Sequence, residues 1–154
     1  MPGRREELFE SAQHPGSRRW AVVEDDGRVA YLYLCKPDST TPVADCFLYS
    51  RASLKPDSLE EDGGAPVVPD NYLVSAAPHL PPSSDAVQLR WSDDGESVAV
   101  LFGGVLMGFI AKGSRFGFSR LIAKSGPFGS PLDVELYERT FVQPNKSFER
   151  TREG

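Results

Sequence analysis

The side chains of this sequence best suited to chemistry sit in two acidic turns, Glu24-Asp25-Asp26-Gly27 and Asp93-Asp94-Gly95-Glu96. Clustered carboxylates can hold Ca²⁺ or Mg²⁺, or move protons. The spacing argues against both uses. A calcium loop places oxygen ligands at alternate positions over about twelve residues, and neither cluster does so. Asp before Gly is instead what a tight hairpin turn requires, because Asp tolerates left-handed backbone and bonds to its own main chain. Asp25, Asp26, Gly27, Asp94 and Gly95 are therefore assigned as structural turn residues, with Gly103-Gly104 as a third turn.

The other reactive groups do not assemble into a site. His14 and His79 are the only histidines, and Cys35 and Cys46 the only cysteines. They lack the close paired spacing of zinc ligands. A Cys46–His79 nucleophile–base pair has no elbow motif around it, and Cys46 falls in mid-strand, where burial is expected. Both cysteines read as small buried hydrophobes of a reducing compartment, with a disulfide left open. Gly103, Gly104 and Gly108 lack the helix and the Lys-Ser/Thr pair of a phosphate loop. No catalytic, metal or cofactor-binding residue is expected.

What positions these groups is a run of β-strands. Trp20-Ala21-Val22-Val23 and Val29-Ala30-Tyr31-Leu32-Tyr33-Leu34 flank the first acidic turn as a hairpin. Residues 43–50 alternate Val43, Asp45, Phe47 and Tyr49 on one side with Ala44, Cys46 and Leu48 on the other. Residues 87–110 form a three-stranded meander. A second turn of even length sets Trp91 opposite Val98, Leu89 opposite Val100 and Val87 opposite Phe102. An odd loop would turn Val98, Val100 and Phe102 away from the core. Burial of each is worth about 1.5–3 kcal/mol, more than the ~0.2–1 kcal/mol repulsion of Asp93 facing Glu96. Continued through Gly103-Gly104, the pattern pairs Val98 with Phe109, Val100 with Met107 and Phe102 with Val105. One core face then holds Trp91, Val98, Val100, Phe102, Met107 and Phe109.

The remaining segments carry weaker signals. Residues 1–19 form a partly ordered N-terminal arm, with a helix-compatible piece at 5–13 that His14-Pro15-Gly16 ends. Residues 20–143 make a single β-rich domain with long loops at 51–70 and 76–86. Within it Tyr72-Leu73-Val74 is a short strand candidate, residues 115–120 an edge strand, and residues 132–137 either a strand or a short helix. Residues 144–154 form a polar tail. The fold class expected is mainly β: a curved antiparallel sheet or small β-sandwich of meander hairpins, about six to eight strands with little helix.

Composition narrows the partners. The 154 residues carry a net charge of -5, which disfavours nucleic acid and anionic membrane, since phosphate binding needs concentrated positive surface. No apolar stretch reaches the ~18 residues of a membrane span. The N-terminus, with Glu6, Glu7 and no apolar core, predicts no signal peptide, and a cytoplasmic location follows. Trp20, Tyr31, Tyr33, Tyr49 and Trp91 are core candidates, of which one or two beside the long loops could anchor a protein partner.

Trp20, Glu24-Asp25-Asp26-Gly27, Tyr31-Leu32-Tyr33, the strand at 43–49 and Trp91-Ser92 together resemble a small, uncharacterised bacterial family catalogued as a domain of unknown function. The likeness covers residues 20–110 and departs at Arg28-Val29-Ala30, where the family pattern has Thr-Gly. It implies a bacterial source and a compact β-rich domain, and no activity. Residues 89–95 with the strand after them are also similar to one β-propeller blade, but a propeller needs about four or more blades to close. The function expected is that of a non-enzymatic protein-binding module, in one form an immunity-type protein that neutralises a cationic toxin. The alternative is a small-molecule-binding or hydrolytic domain with its site in the concave face of the sheet.

Overall fold

The structure, a computed structural model, describes residues 8–50, 68–74 and 86–142. Among these residues, nine strands make two sheets. The first holds β1 (Leu8–Gln13), β2 (Arg19–Asp25), β3 (Val29–Pro37) and β4 (Pro42–Ser50), antiparallel in that order. The second runs β5 (Val87–Trp91), β6 (Val98–Phe102), β7 (Val105–Ile110), β8 (Phe118–Ser119) and β9 (Ser130–Pro131), with the last pair parallel. Their inner faces pack together, and the protein is a mainly β sandwich. No helix among the described residues is long and apolar enough to cross a membrane.

Strand alternation builds the core between the sheets. Ala21 and Val23 of β2, Ala30, Leu32 and Leu34 of β3, and Ala44, Cys46 and Leu48 of β4 meet Val98, Val100 and Ile110 of the second sheet. Val87, Leu89, Trp91, Phe102 and Met107 pack against this cluster, partly buried. An irregularity in the β3–β4 pairing sets Ala30 opposite Tyr49 but Tyr31 opposite Phe47, so Leu48 is an extra residue. Tyr49 therefore joins the inner core, not the Phe47 side that strict alternation predicts. A bulge shifts parity by one.

The β5–β6 register is Trp91 to Val98, Leu89 to Val100 and Val87 to Phe102. Ser92 N–H reaches the Ser97 carbonyl at 3.0 Å, leaving an even loop of Asp93, Asp94, Gly95 and Glu96. The β6–β7 register departs from expectation. Phe102 does face Val105, but Val100 faces Gly108, Ala99 faces Phe109 and Val98 faces Ile110. The shift between Val100 and Leu101 leaves Met107 as the extra residue. Phe109 is thus corrected to the opposite face of the second sheet, and Ile110 takes its place in the inter-sheet core. The tertiary reason is close approach: a Cβ on Gly108 would lie 2.7 Å from the Cys46 Sγ. Only the residue without a side chain can pass there.

Three local expectations also change. The helix-compatible arm is strand β1, paired with β2 over all six of its residues; a short helix is marginal alone, and the open edge of β2 offers a full ladder. Tyr72-Leu73-Val74 is not a strand: Asp70–Tyr72 form a 3₁₀ turn, and Leu73 makes a single bridge to Ile122. Residues 115–120 are not a sheet edge. Asp45 N–H donates to the Arg115 carbonyl at 3.1 Å, Gly117 N–H donates to the Asp45 carbonyl at 2.7 Å, and the chain continues into β8. This segment joins the sheets along one side.

Both outer faces carry cover. Helix α1 (Val134–Tyr137), capped by the Asp133 carboxylate accepting from Leu136 N–H at 3.0 Å, leads into a wider turn at Glu138–Val142. Tyr137 and Phe141 pack on Phe109 and Ala99 over the second sheet. Over the first sheet, Val68, Tyr72, Leu73, Ile122 and Phe128 cover Val29, Tyr31 and Phe47. The loops expected at 51–70 and 76–86 lie largely, and the tail at 144–154 wholly, outside the described residues.

Candidate functional site

Most carboxylates of the acidic turns are bound within the protein, Glu24 and Asp93 having no hydrogen bond or ion pair among the described residues. Asp25 is buried, its Oδ1 accepting from Gly27 N–H at 2.8 Å and its Oδ2 from the Tyr49 hydroxyl at 2.6 Å. Asp26 Oδ1 accepts from the N–H groups of Arg28 and Val29. Asp94 Oδ1 accepts from Glu96 N–H at 3.0 Å and from the Ser92 hydroxyl at 2.8 Å, and these bonds hold its carboxyl below the usual range. Glu96 pairs with Arg19 at 2.9 Å. The turns also sit at opposite ends of the sandwich. Residues 14–18, which lead into β2, lie on Gly95, and residues 25–27 follow the far end of that strand. Gly103 and Gly104 close the β6–β7 hairpin with positive φ at both residues.

His14 and the cysteines are packing groups. His14 Nδ1 accepts from Gly16 and Ser17 N–H, and its ring meets Trp91 edge-on at 5.4 Å. Cys46 is fully buried between the sheets, and burial pushes its thiol up. Cys35 is buried and free, its thiol also pushed up by burial. His79 lies outside the described residues. Among those described, no group of three or more His, Cys, Asp or Glu could hold a metal ion.

An open cleft of about 810 Å³ lies between the second acidic turn and α1, lined by Asp93, Asp94, Lys112, Thr140 and Phe141 among others. Several of its polar groups are bound internally. Ser92 Oγ accepts from Ser97 N–H, Ser97 Oγ from Lys112 N–H, and the Thr140 hydroxyl donates to the Leu136 carbonyl.

The outer face of the first sheet differs. Among the described residues its cover stops at Tyr33, which stacks on Tyr31 at 5.9 Å and packs at the rim of the covered cluster. Beyond the rim, register sets Val22, Tyr33 and Asp45 in one row across β2, β3 and β4. Glu24 stands in the next row, opposite Tyr31. Phe9 on β1 and Val43 on β4, the two edge strands of this sheet, are 63% and 42% exposed. Asp45 is half-buried, and among the described residues its carboxylate makes no hydrogen bond or ion pair; neither does the Tyr33 hydroxyl.

The electrostatics of this face are negative. Burial pushes the Asp45 carboxyl up, and Arg115 only partly offsets it. The Tyr33 phenol is pushed up to about 12, first by burial and then by Glu24, Asp45 and Asp26. Tyr31 is also pushed up, by burial and then by Asp45. Arg115 itself lies over the Phe116 ring at 5.8 Å. Of the aromatic anchors considered from sequence, Tyr49 is in the core, Trp91 packs at its margin, Trp20 is half-buried, and Tyr31 and Tyr33 share this face. Asp45, without a partner among the described residues, was not singled out by the residue pattern. Alternation put Asp45 beside Val43 and Phe47 without showing which side remained open.

No protein-family model, curated protein or solved structure matches the chain. The functional reading therefore rests on the chain's own residues.

Proposed function

We propose that this chain is a non-enzymatic module that binds a protein partner through the uncovered half of the outer face of its first sheet. One observation carries the reading: the row Val22–Tyr33–Asp45, with the exposed Phe9 of β1 in the row beside it, presents aromatic, apolar and acidic groups on a hydrogen-bonded sheet, and the Asp45 carboxylate has no partner among the described residues. A rigid aromatic anchor ringed by polar groups is the usual composition of a protein-binding hot spot. Neutralisation of a cationic toxin is one form such binding could take. The alternative, a small-molecule or hydrolytic site, finds less support. The inner faces of both sheets are filled by core side chains, and the cleft between the second acidic turn and α1 is open, with most of its polar groups already bonded.

The test is site-specific photocrosslinking in the cells that make the protein. A photoreactive residue at position 33 should capture a discrete protein, and one at position 134, on the exposed side of α1, should not. Capture lost on Val22→Arg supports docking on this face. Equal labelling from both positions, or a small molecule co-purifying in the cleft with no capture at 33, would overturn it.

A further inference from the structure

We infer that the surface patch formed by Tyr33, Asp45 and Glu24 seats a basic side chain, a lysine or arginine, of the docking partner. This rests on the face proposed above and names what the partner must bring to it.

Asp45 is a half-buried carboxylate with no hydrogen bond or ion pair among the described residues. A partly desolvated charge without a partner is unfavourable, and the remedy is a donor carrying the opposite charge. Register defines the place such a donor would occupy. Asp45 stands directly across from Tyr33 on β4, and Glu24 stands diagonally from Tyr33 on β2. Opposed Cβ atoms in a sheet are about 4.5–5.5 Å apart and diagonal ones about 7–8 Å. One ring is therefore flanked by carboxylates from the strands on either side of it. An aromatic face attracts a cation through its quadrupole, and both carboxylates reinforce that attraction from the same surface.

Among the described residues, no cation fills the position. Arg115 acts on Asp45 without reaching ion-pair distance, held over the Phe116 ring. It repels an incoming cation from this patch. The Asp93-Asp94 turn offers no equivalent, since Asp94 is already bonded to Ser92 and Glu96 and faces Lys112 at 3.9 Å. Two acidic places on one molecule are thus predicted to behave differently toward the same cation.

The experiment titrates a short lysine-only peptide, with a glutamate-only peptide of equal length as control, and follows the protein by NMR. Resonances of Tyr33, Glu24 and Asp45 should shift with the lysine peptide and not with the control. Asp45→Asn should weaken binding about tenfold, equivalent to about 1.4 kcal/mol. Asp93→Asn, which changes net charge by the same amount, should leave binding unchanged, and Arg115→Gln should strengthen it. Thermal unfolding of each variant confirms that it is folded. Equal weakening by Asp45→Asn and Asp93→Asn, or shifts centred on the 93–96 turn, overturns the inference. Photocrosslinking from position 33 that persists while the lysine peptide leaves Tyr33 unmoved would retain the docking face and reject its cationic occupant.

Discussion

The Tyr49 hydroxyl donates to the Asp25 carboxylate at 2.6 Å across the width of a strand. Asp25 of β2, Ala30 of β3 and Tyr49 of β4 lie in one row of the register. The small Ala30 lets the tyrosine ring pass over β3 and reach the far strand. The same ring meets Phe102 of the opposite sheet edge-on at 5.9 Å. Tyr49 therefore binds the end of the first hairpin both to its own sheet and to the second.

Tyr49→Phe keeps the ring and removes the donor. A buried carboxylate deprived of one hydrogen bond should lower stability by about 1–3 kcal/mol, read as a reduced midpoint in urea unfolding with an unchanged slope. An unchanged midpoint would show that the bond is not formed in solution.

Gly108 and Cys46 should be coupled. An added Cβ at Gly108 meets the Cys46 Sγ at 2.7 Å and the Phe118 carbonyl at 3.0 Å. Overpacking of this kind costs about 1–3 kcal/mol. Cys46→Ala removes the sulfur, so Gly108→Ala should be less harmful in that background than in the wild type. The double-mutant cycle measures the coupling; strict additivity would contradict it.

Phe109 should anchor the C-terminal cover. It stacks with Phe118 at 5.0 Å and contacts Tyr137 and Phe141 at 5.7 Å each. Phe109→Ala should cost about 3–5 kcal/mol and raise amide hydrogen exchange in residues 134–142 first. Protection lost first between the sheets instead would place Phe109 in the inter-sheet core.

Asp45 gives a pH dependence of defined sign. Its folded-state pKa is raised, so the folded protein holds this proton more tightly than the unfolded chain. Stability should fall as pH rises from the ordinary carboxylate range through the raised value, and the penalty should persist above it. The groups acting on Asp45, or acted on by it, are Arg115, which favours its charge, and Tyr31, Tyr33 and Cys46, with Glu24 and Asp26 acting on the same tyrosines. Asp45→Asn should therefore raise the Tm at neutral pH and leave it nearly unchanged in acid. A lowered Tm at neutral pH would contradict this. A substitution that stabilises the fold and weakens cation binding marks a residue kept for docking.

Local chemistry determined much of this protein. Asp-Gly and Gly-Gly placed the turns, and period-two alternation with the burial of Val98, Val100 and Phe102 set the even parity of the 93–96 loop. The assignment of the acidic turns to structure was legible too, because Asp before Gly bonds its own backbone. Tertiary contact decided what those rules leave free. Two bulges, at Leu48 and Met107, moved Tyr49 into the core and Phe109 out of it, since one inserted residue exchanges the faces of all that follow. Residues 8–13 became a strand because β2 presented an unpaired edge, a nonlocal fact that a short segment's propensity does not contain. The candidate site depends most on the assembled fold. Asp45 and Tyr33 are ordinary strand residues in the sequence, and their role rests on the described covering segments reaching no further than Tyr33 in the row it shares with Asp45.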